Sequence, residues 1–315
     1  MQSLNEIGMP VDFRIIEESD WKQRCETHLL RASAYTHGPR QRRDRGEKHP
    51  VEDFLFEYYP YSIATIEQWH PGLDTALRYL DVENLPIQFQ SQKHTIQDEI
   101  CFLDISNMKQ KEAERLRWIS GLLQATQQHP PNFTCHGIHE WAMVYQAEEI
   151  RHASITPLRL TQSEVDAVVE SHPIACSHHD AFRFFAKAAK PMNKLQPSLA
   201  TRHQNEQPGC VHANMDLYKW AAKCMPWIGS ELLFTSFSLA RQLRLLDMQA
   251  SPYDLSAWKI EPIKIETSEG RRTYEKEQKR LAEKAGTIRS RLINSLNEIL
   301  EKHAQAFQTS DSLPA

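Results

Sequence analysis

GRRTYEKEQKRLAEKAGTIRSRLINSLNEILEKHAQAF, residues 270–307, decides the fold class. Tyr274, Leu281, Ile288, Leu292, Leu296 and Ile299 recur at steps of seven, four and three residues, drawing one apolar stripe along a helix. Lys, Glu, Arg and Gln fill the other faces, so the stretch predicts a long amphipathic helix clamped along a body. The following QTSDSLPA, residues 308–315, reads as a disordered polar tail.

Upstream segments carry the same period. Residues 104–128 turn Ile105, Met108, Ile119, Leu122 and Leu123 inward, and His129-Pro130-Pro131 stops the helix, because a residue before proline avoids the α region. Residues 229–249 are apolar on most sides through ELLFTSFSLA and predict a helix through the core, with Arg241 and Arg244 returning it to solvent. Shorter helices fit 17–43, 50–58, 161–171 and 212–224. Thr161 and Glu164 have the spacing of a capping box. Strand signals are few: Ile87–Phe89 and Ile100–Phe102 could form a small hairpin, and Ile260 to Ile265 alternates weakly. The expected fold is all-α with at most a small β-hairpin. One compact helical domain spans 17–307 behind an N-terminal extension, 1–16.

The composition suits such a body. Apolar residues are 40% and charged residues 25% of 315, enough to bury a core without disulfide support. No apolar run is long enough for a membrane span, and the N-terminus lacks a secretory pattern, so a cytoplasmic protein is expected. Six cysteines, at 25, 101, 135, 176, 210 and 224, form no CxxC pair and read as thiols. With ten glycines there is no GxGxxG, GxxxxGK[ST] or GxSxG, so the dinucleotide-binding, P-loop and α/β-hydrolase classes lack their fingerprints.

Chemistry concentrates in the middle third. Cys135-His136-Gly-Ile-His139-Glu140, Cys176-Ser-His178-His179-Asp180 and Cys210-Val-His212-Ala-Asn-Met-Asp216 mix imidazole, thiol and carboxylate. If they converge, His139, His178, His179 and His212, with Glu140, Asp180 or Asp216, could hold Zn or Fe; ordinary core histidines are the alternative. His212 and Asp216 stand four residues apart, on one helix face. Arg183 among Phe182, Phe184 and Phe185, and Lys219 between Tyr218 and Trp220, interleave cations with rings, a pattern that suits nucleotide binding or a buried aromatic face. Arg40, Arg42, Arg43, Arg45 and Lys48 form the most basic run. It could track a nucleic-acid backbone or line a solvated loop, and the net charge of −4 leaves room for such a patch.

GEKHPVEDFLFEYY, QWHPG, HEWAMVY, ESHPIACSHHDAFRFF, EQPGCVHANMDLYKW and LDMQASPYDL together resemble a bacterial family named for 3-methyladenine DNA glycosylase. The resemblance implies excision of alkylated purines from DNA in base excision repair, by flipping the damaged base into an aromatic pocket. On it, Asp180, Asp216 or Glu140 is the catalytic carboxylate, and Trp141, Tyr218 and Trp220 form the pocket wall. Two further readings are a metal-dependent helical enzyme, either hydrolase or non-haem iron oxygenase, and a non-catalytic nucleic-acid-binding protein.

Overall fold

The computed structural model describes residues 13–147 and 156–310. Helices dominate it. The N-terminal half carries α1 (Glu18–Arg45), α2 (Phe54–Tyr58), α3 (Ile63–Glu67) and α4 (Gln110–Gln128). Four short helices follow: α5 (Ile138–Ala142), α6 (Gln162–Glu170), α7 (His179–Phe182) and α8 (Arg202–Asn205). The C-terminal part is built from α9 (Val211–Lys223), α10 (Ser230–Gln249) and α11 (Ser268–Ser310).

Each long helix has a local cause. The predicted stripe of α11 is buried along its length, from Tyr274 through Leu292 to Ile299, and packs on α4, α9 and α10. The helix runs to Ser310, three residues past the predicted end, and 311–315 of the expected tail lie outside the described residues. At Gln128 α4 ends as the Pro-Pro pair dictates, with His129 extended. Its start is six residues later than predicted, because Asp104 accepts from the Ser106 amide and folds 105–107 into a separate 3₁₀ turn. Thr161 and Glu164 close the capping box of α6. Where one helix was predicted over 50–58, only Phe54–Tyr58 is helical, after a turn.

α10 packs on both α9 and α11, which also touch each other. Arg244 does not bring it out to solvent as expected: the side chain is buried, because Glu140 and Asp247 wait there as ion-pair partners. One continuous hydrophobic cluster joins residues from Ala32 to Ile299, drawing on most of the helices.

The β structure is larger than the expected hairpin and pairs differently. Strands β1 (Arg14–Ile16), β2 (Thr75–Arg78), β3 (His94–Gln97) and β4 (Ile100–Leu103) form one sheet in the order β1-β2-β4-β3. β4 pairs antiparallel with both β2 and β3, and β1 pairs parallel with β2. Ile87–Phe89, the predicted partner of β4, forms a 3₁₀ turn after Pro86, and 260–265 forms no strand. Residues 14–16 of the expected N-terminal extension belong to the sheet, and 1–12 lie outside the described residues. No described helix is long and apolar enough to cross a membrane.

If α11 is a core element rather than an appendage, removing one side chain from its stripe should cost as much as any core deletion. Leu292 is completely buried. Leu292→Ala is expected to lower stability by about 2–5 kcal/mol in urea unfolding, where an appended helix would lose well under 1 kcal/mol.

Candidate metal centre

The first donor comes from a tight turn. His136 and Gly137 both take positive φ, 44° and 78°, and turn the chain into α5. A Cβ on Gly137 would meet the Ala250 Cβ at 2.9 Å, so glycine lets the turn lie against the end of α10. The Trp141 indole N–H donates to the Ala250 carbonyl at 2.8 Å and anchors α5 there. The result is His139 and Glu140 buried against α10. From α9 comes His212, and from the last two turns of α10 come Arg244 and Asp247.

His139, His212 and Asp247 present donor atoms that all lie within 4.8 Å of one another. The two imidazoles meet edge to face, with ring centroids 4.6 Å apart. His139 Nε2 is 2.7 Å from Asp247 Oδ1, and His212 Nε2 is 3.9 Å from Oδ2. The short contact is an ion pair whose geometry falls short of an ordinary, well-aligned ring N–H hydrogen bond. His139 Nε2 and both Asp247 oxygens are therefore buried without a hydrogen-bond partner. Three such atoms at one point call for positive charge among them, from a protonated His139, from Arg244 at 3.6 Å or from a cation.

The surroundings adjust the charges. Burial resists ionisation of Asp247, but the charge of His139 outweighs it and holds the carboxyl well below its ordinary range. His139 is the converse: burial favours the neutral ring, while Asp247 and Cys135 raise its pKa well above the usual value. Burial, with the charge of His139, pushes His212 down to about 3, so its ring is in the neutral form that ligates metals. Cys135 Sγ lies 3.4 Å from His139 Nδ1 and fixes the ring from behind. Arg244 reaches Glu140 at 3.1 Å and Asp247 at 3.6 Å, with its guanidinium 3.8 Å from the Phe54 ring centroid.

A second group, His178, Asp180 and Asp216, is equally tight, but its positive charge is supplied by the chain. Lys219 Nζ bridges Asp180 and Asp216 at 3.0 and 3.1 Å. Arg202 reaches the same two carboxylates at 3.1 and 3.0 Å, and Glu206 at 2.6 Å. The Tyr59 hydroxyl donates to the other Asp216 oxygen at 2.8 Å. This is an ion network tying α7, α8 and α9 to the chain after α2. Asp216 thus does not pair with His212, although one face of α9 carries both.

The two groups adjoin a pocket of about 670 Å³. Glu140, His212 and Arg244 line it, and so does Asp180. Phe54, Tyr58, Phe184, Phe185 and Tyr253 supply rings, while Lys48, Arg183 and Lys187 bring cations.

Several expected site residues lie elsewhere. Trp141, Tyr218 and Trp220 do not line the pocket: all three are buried, because the faces of α5 and α9 that carry them are the core-packing faces. Tyr218 packs edge to face on Tyr59, Tyr61 and Phe237, and Trp220 meets Trp118. Lys219 and Asp216 serve the ion network. His178 stacks on His212, with centroids 5.6 Å apart, and turns its Nε2 to Asp216 rather than to the metal group. His179 points away, with Nδ1 3.2 Å from the Pro197 carbonyl. Of the basic run, Arg40 pairs with Glu67, Arg42 with Glu52 and Asp53, and Lys48 with Glu57. Arg43 and Arg45 sit in the last turn of α1, where cations complement the helix dipole. Asp247, Arg202 and Glu206 were not anticipated. An aspartate inside Leu245-Leu246-Asp247-Met248 was the available signal, since an acid in an apolar run has to find a buried partner.

The ion network makes a pH-dependent contribution. Burial works against Asp216 ionisation, yet the hydrogen bond and charge of His178, then Lys219 and Arg202, win and lower its pKa. A carboxyl depressed in the folded state stabilises above its unfolded pKa of about 4 and loses that contribution as pH falls. Asp216→Asn is therefore expected to cost about 3 kcal/mol at pH 7 and part of that at pH 2.5, the rest being lost only below the depressed folded-state pKa, measured by urea unfolding. An equal cost at both values would show that Asp216 does not work through its charge.

Comparison with protein-family models, with curated proteins and with solved structures finds no match to this chain. The likeness to the 3-methyladenine DNA glycosylase family rests on the quoted strings alone.

Proposed function

We propose that the chain is a metal-dependent enzyme, a hydrolase for a small molecule, with His139, His212 and Asp247 holding one divalent ion beside the pocket. The observation that supports this most is the orphaned trio of buried donor atoms, His139 Nε2 and the two Asp247 oxygens, with His212 Nε2 beside it. Two imidazoles and one carboxylate suit Zn or Fe(II) and leave coordination positions open. Such an ion would lower the pKa of a bound water and polarise a substrate oxygen.

The chain's own groups complete the chemistry. Glu140 lines the pocket next to the trio, and burial, opposed by Arg244 and reinforced by Asp247, raises its pKa. A carboxylate of raised pKa takes a proton from an attacking water and returns it to a leaving group. Arg244 keeps Glu140 in place and faces the pocket, where it can steady a developing negative charge. The six free thiols fit a cytoplasmic setting.

A second reading, excision of an alkylated purine from DNA, draws support from Asp180. Burial favours its neutral form, but the charge of Lys219 prevails and lowers its pKa, leaving an ionised carboxylate in a pocket with Tyr58, Phe184 and Phe185. The pairing of Arg40, Arg42 and Lys48 with acids weakens the case for a nucleic-acid track and for a purely binding role.

The purified wild-type protein is expected to carry about one equivalent of Zn or Fe, and His139→Ala and Asp247→Asn much less, by plasma mass spectrometry. Ester and amide substrates would be turned over by the loaded protein and not by either variant. Oxygen consumption in place of hydrolysis would move the assignment to an oxygenase. Chelator-insensitive release of 3-methyladenine from alkylated duplex DNA, lost in Asp180→Asn, would replace it with the second reading.

A further inference from the structure

The pocket has a pronounced internal asymmetry. Its lining holds a ring platform: Phe54 and Tyr58 stack in parallel, with centroids 5.0 Å apart and planes 10° from each other. Phe184, also in the lining, is exposed and capped by the Arg183 guanidinium, 4.5 Å from its centroid. Met143, Met248 and Tyr253 add soft apolar surface. A planar ring entering here meets aromatic faces and a guanidinium plane, both of which favour stacking.

The charges around this apolar body differ in how far they are compensated. Every acid in the described lining already has cationic partners. Glu57 pairs with Lys48 at 3.3 Å, Glu140 with Arg244, and Asp180 with Lys219 and Arg202. Arg183 stands 3.5 Å from Asp180, whose charge Lys219 and Arg202 hold more closely. Lys187 lies exposed on the same segment. A cationic ligand would find each carboxylate taken, whereas an anionic one would find exposed Lys187, and Arg183 in its looser 3.5 Å pair with Asp180.

We infer that the pocket binds a planar aromatic small molecule bearing a negative charge, its ring between the Phe54–Tyr58 platform and Phe184, its anionic group on Arg183 and Lys187. The inference deepens the metal-centre reading and rests on it for which end of the ligand reacts: the end away from the anionic group, turned toward Glu140 and His212. The volume of about 670 Å³ suits a ligand of two or three fused or linked rings rather than a polymer segment.

The test is calorimetric titration of the full chain with three matched probes, 2-naphthoate, 2-naphthylmethanol and 2-naphthylmethylammonium, plus hexanoate as a non-aromatic anion. Metal content is measured on the same sample. Naphthoate should bind about tenfold or more tighter than the neutral probe, and the ammonium probe and hexanoate should bind weakest. In the Arg183→Glu/Lys187→Glu variant, whose changes lie on exposed positions, the anion advantage should vanish while metal content stays the same. Equal or tighter binding of the neutral or ammonium probe, or of hexanoate, overturns the inference even in a fully metal-loaded sample. So does an anion preference that survives the double variant, since the metal would then be the anion's partner. The predicted selectivity in a sample without metal supports the inference and counts against the metal centre alone.

Discussion

Asp247 is the constraint around which the centre of the molecule is organised. It stands in an otherwise apolar stretch of α10, with no exposure to solvent, and is held in the ionised form. A carboxylate in that position is sustained only by positive charge within contact distance. Arg244, one turn earlier on the same helix, answers part of the need, and it must share itself with Glu140. His139 and His212 converge on what remains. Either His139 carries a proton that is badly aligned with its acceptor, or a cation sits among the three groups. The lack of a well-aligned hydrogen bond at the 2.7 Å contact is what the proposed cation would account for.

The neighbouring network shows what the same problem looks like when the chain solves it unaided. Asp180, Asp216 and Glu206 are met by Arg202 and Lys219 in direct contacts, with Tyr59 completing the shell of Asp216. Donor groups of the same types lie within a similar radius in both places. In one, guanidinium and ammonium fill the space between the carboxylates. In the other, only one guanidinium approaches, and from the side of Glu140. That contrast sets a structural ion cluster apart from the proposed ligand set, and the stacked His178 and His212 rings lie between them.

Much of the helical body was legible because periodicity and capping are local. The stripe of α11, the Pro-Pro stop of α4 and the Thr161 box needed no tertiary information. The sheet was less so: β2 was not foreseen at all, since a four-residue strand becomes one only by pairing, and Pro86 diverted the segment that looked like the partner of β4. For the site, local clustering found His139, Glu140, His212 and Asp180 but could not tell which partner each would meet. Asp216 and His212 share a face of α9 and yet serve different groups. Trp141, Tyr218 and Trp220 were expected as pocket rings only through the family resemblance, and helix phase sent them to the core. Asp247 and Arg202 come from far along the chain, beyond any short motif, and only the fold brings them in.

The most direct measurement is anomalous X-ray diffraction from crystals of the purified protein, collected above and below the Zn and Fe absorption edges. The metal assignment requires one peak about 2.0–2.2 Å from His139 Nε2, His212 Nε2 and an Asp247 oxygen. Density without a peak there, with a proton-mediated contact between His139 and Asp247 in its place, would contradict it. A peak among His178, Asp180 and Asp216 instead would contradict it too, since Lys219 and Arg202 would have to be displaced.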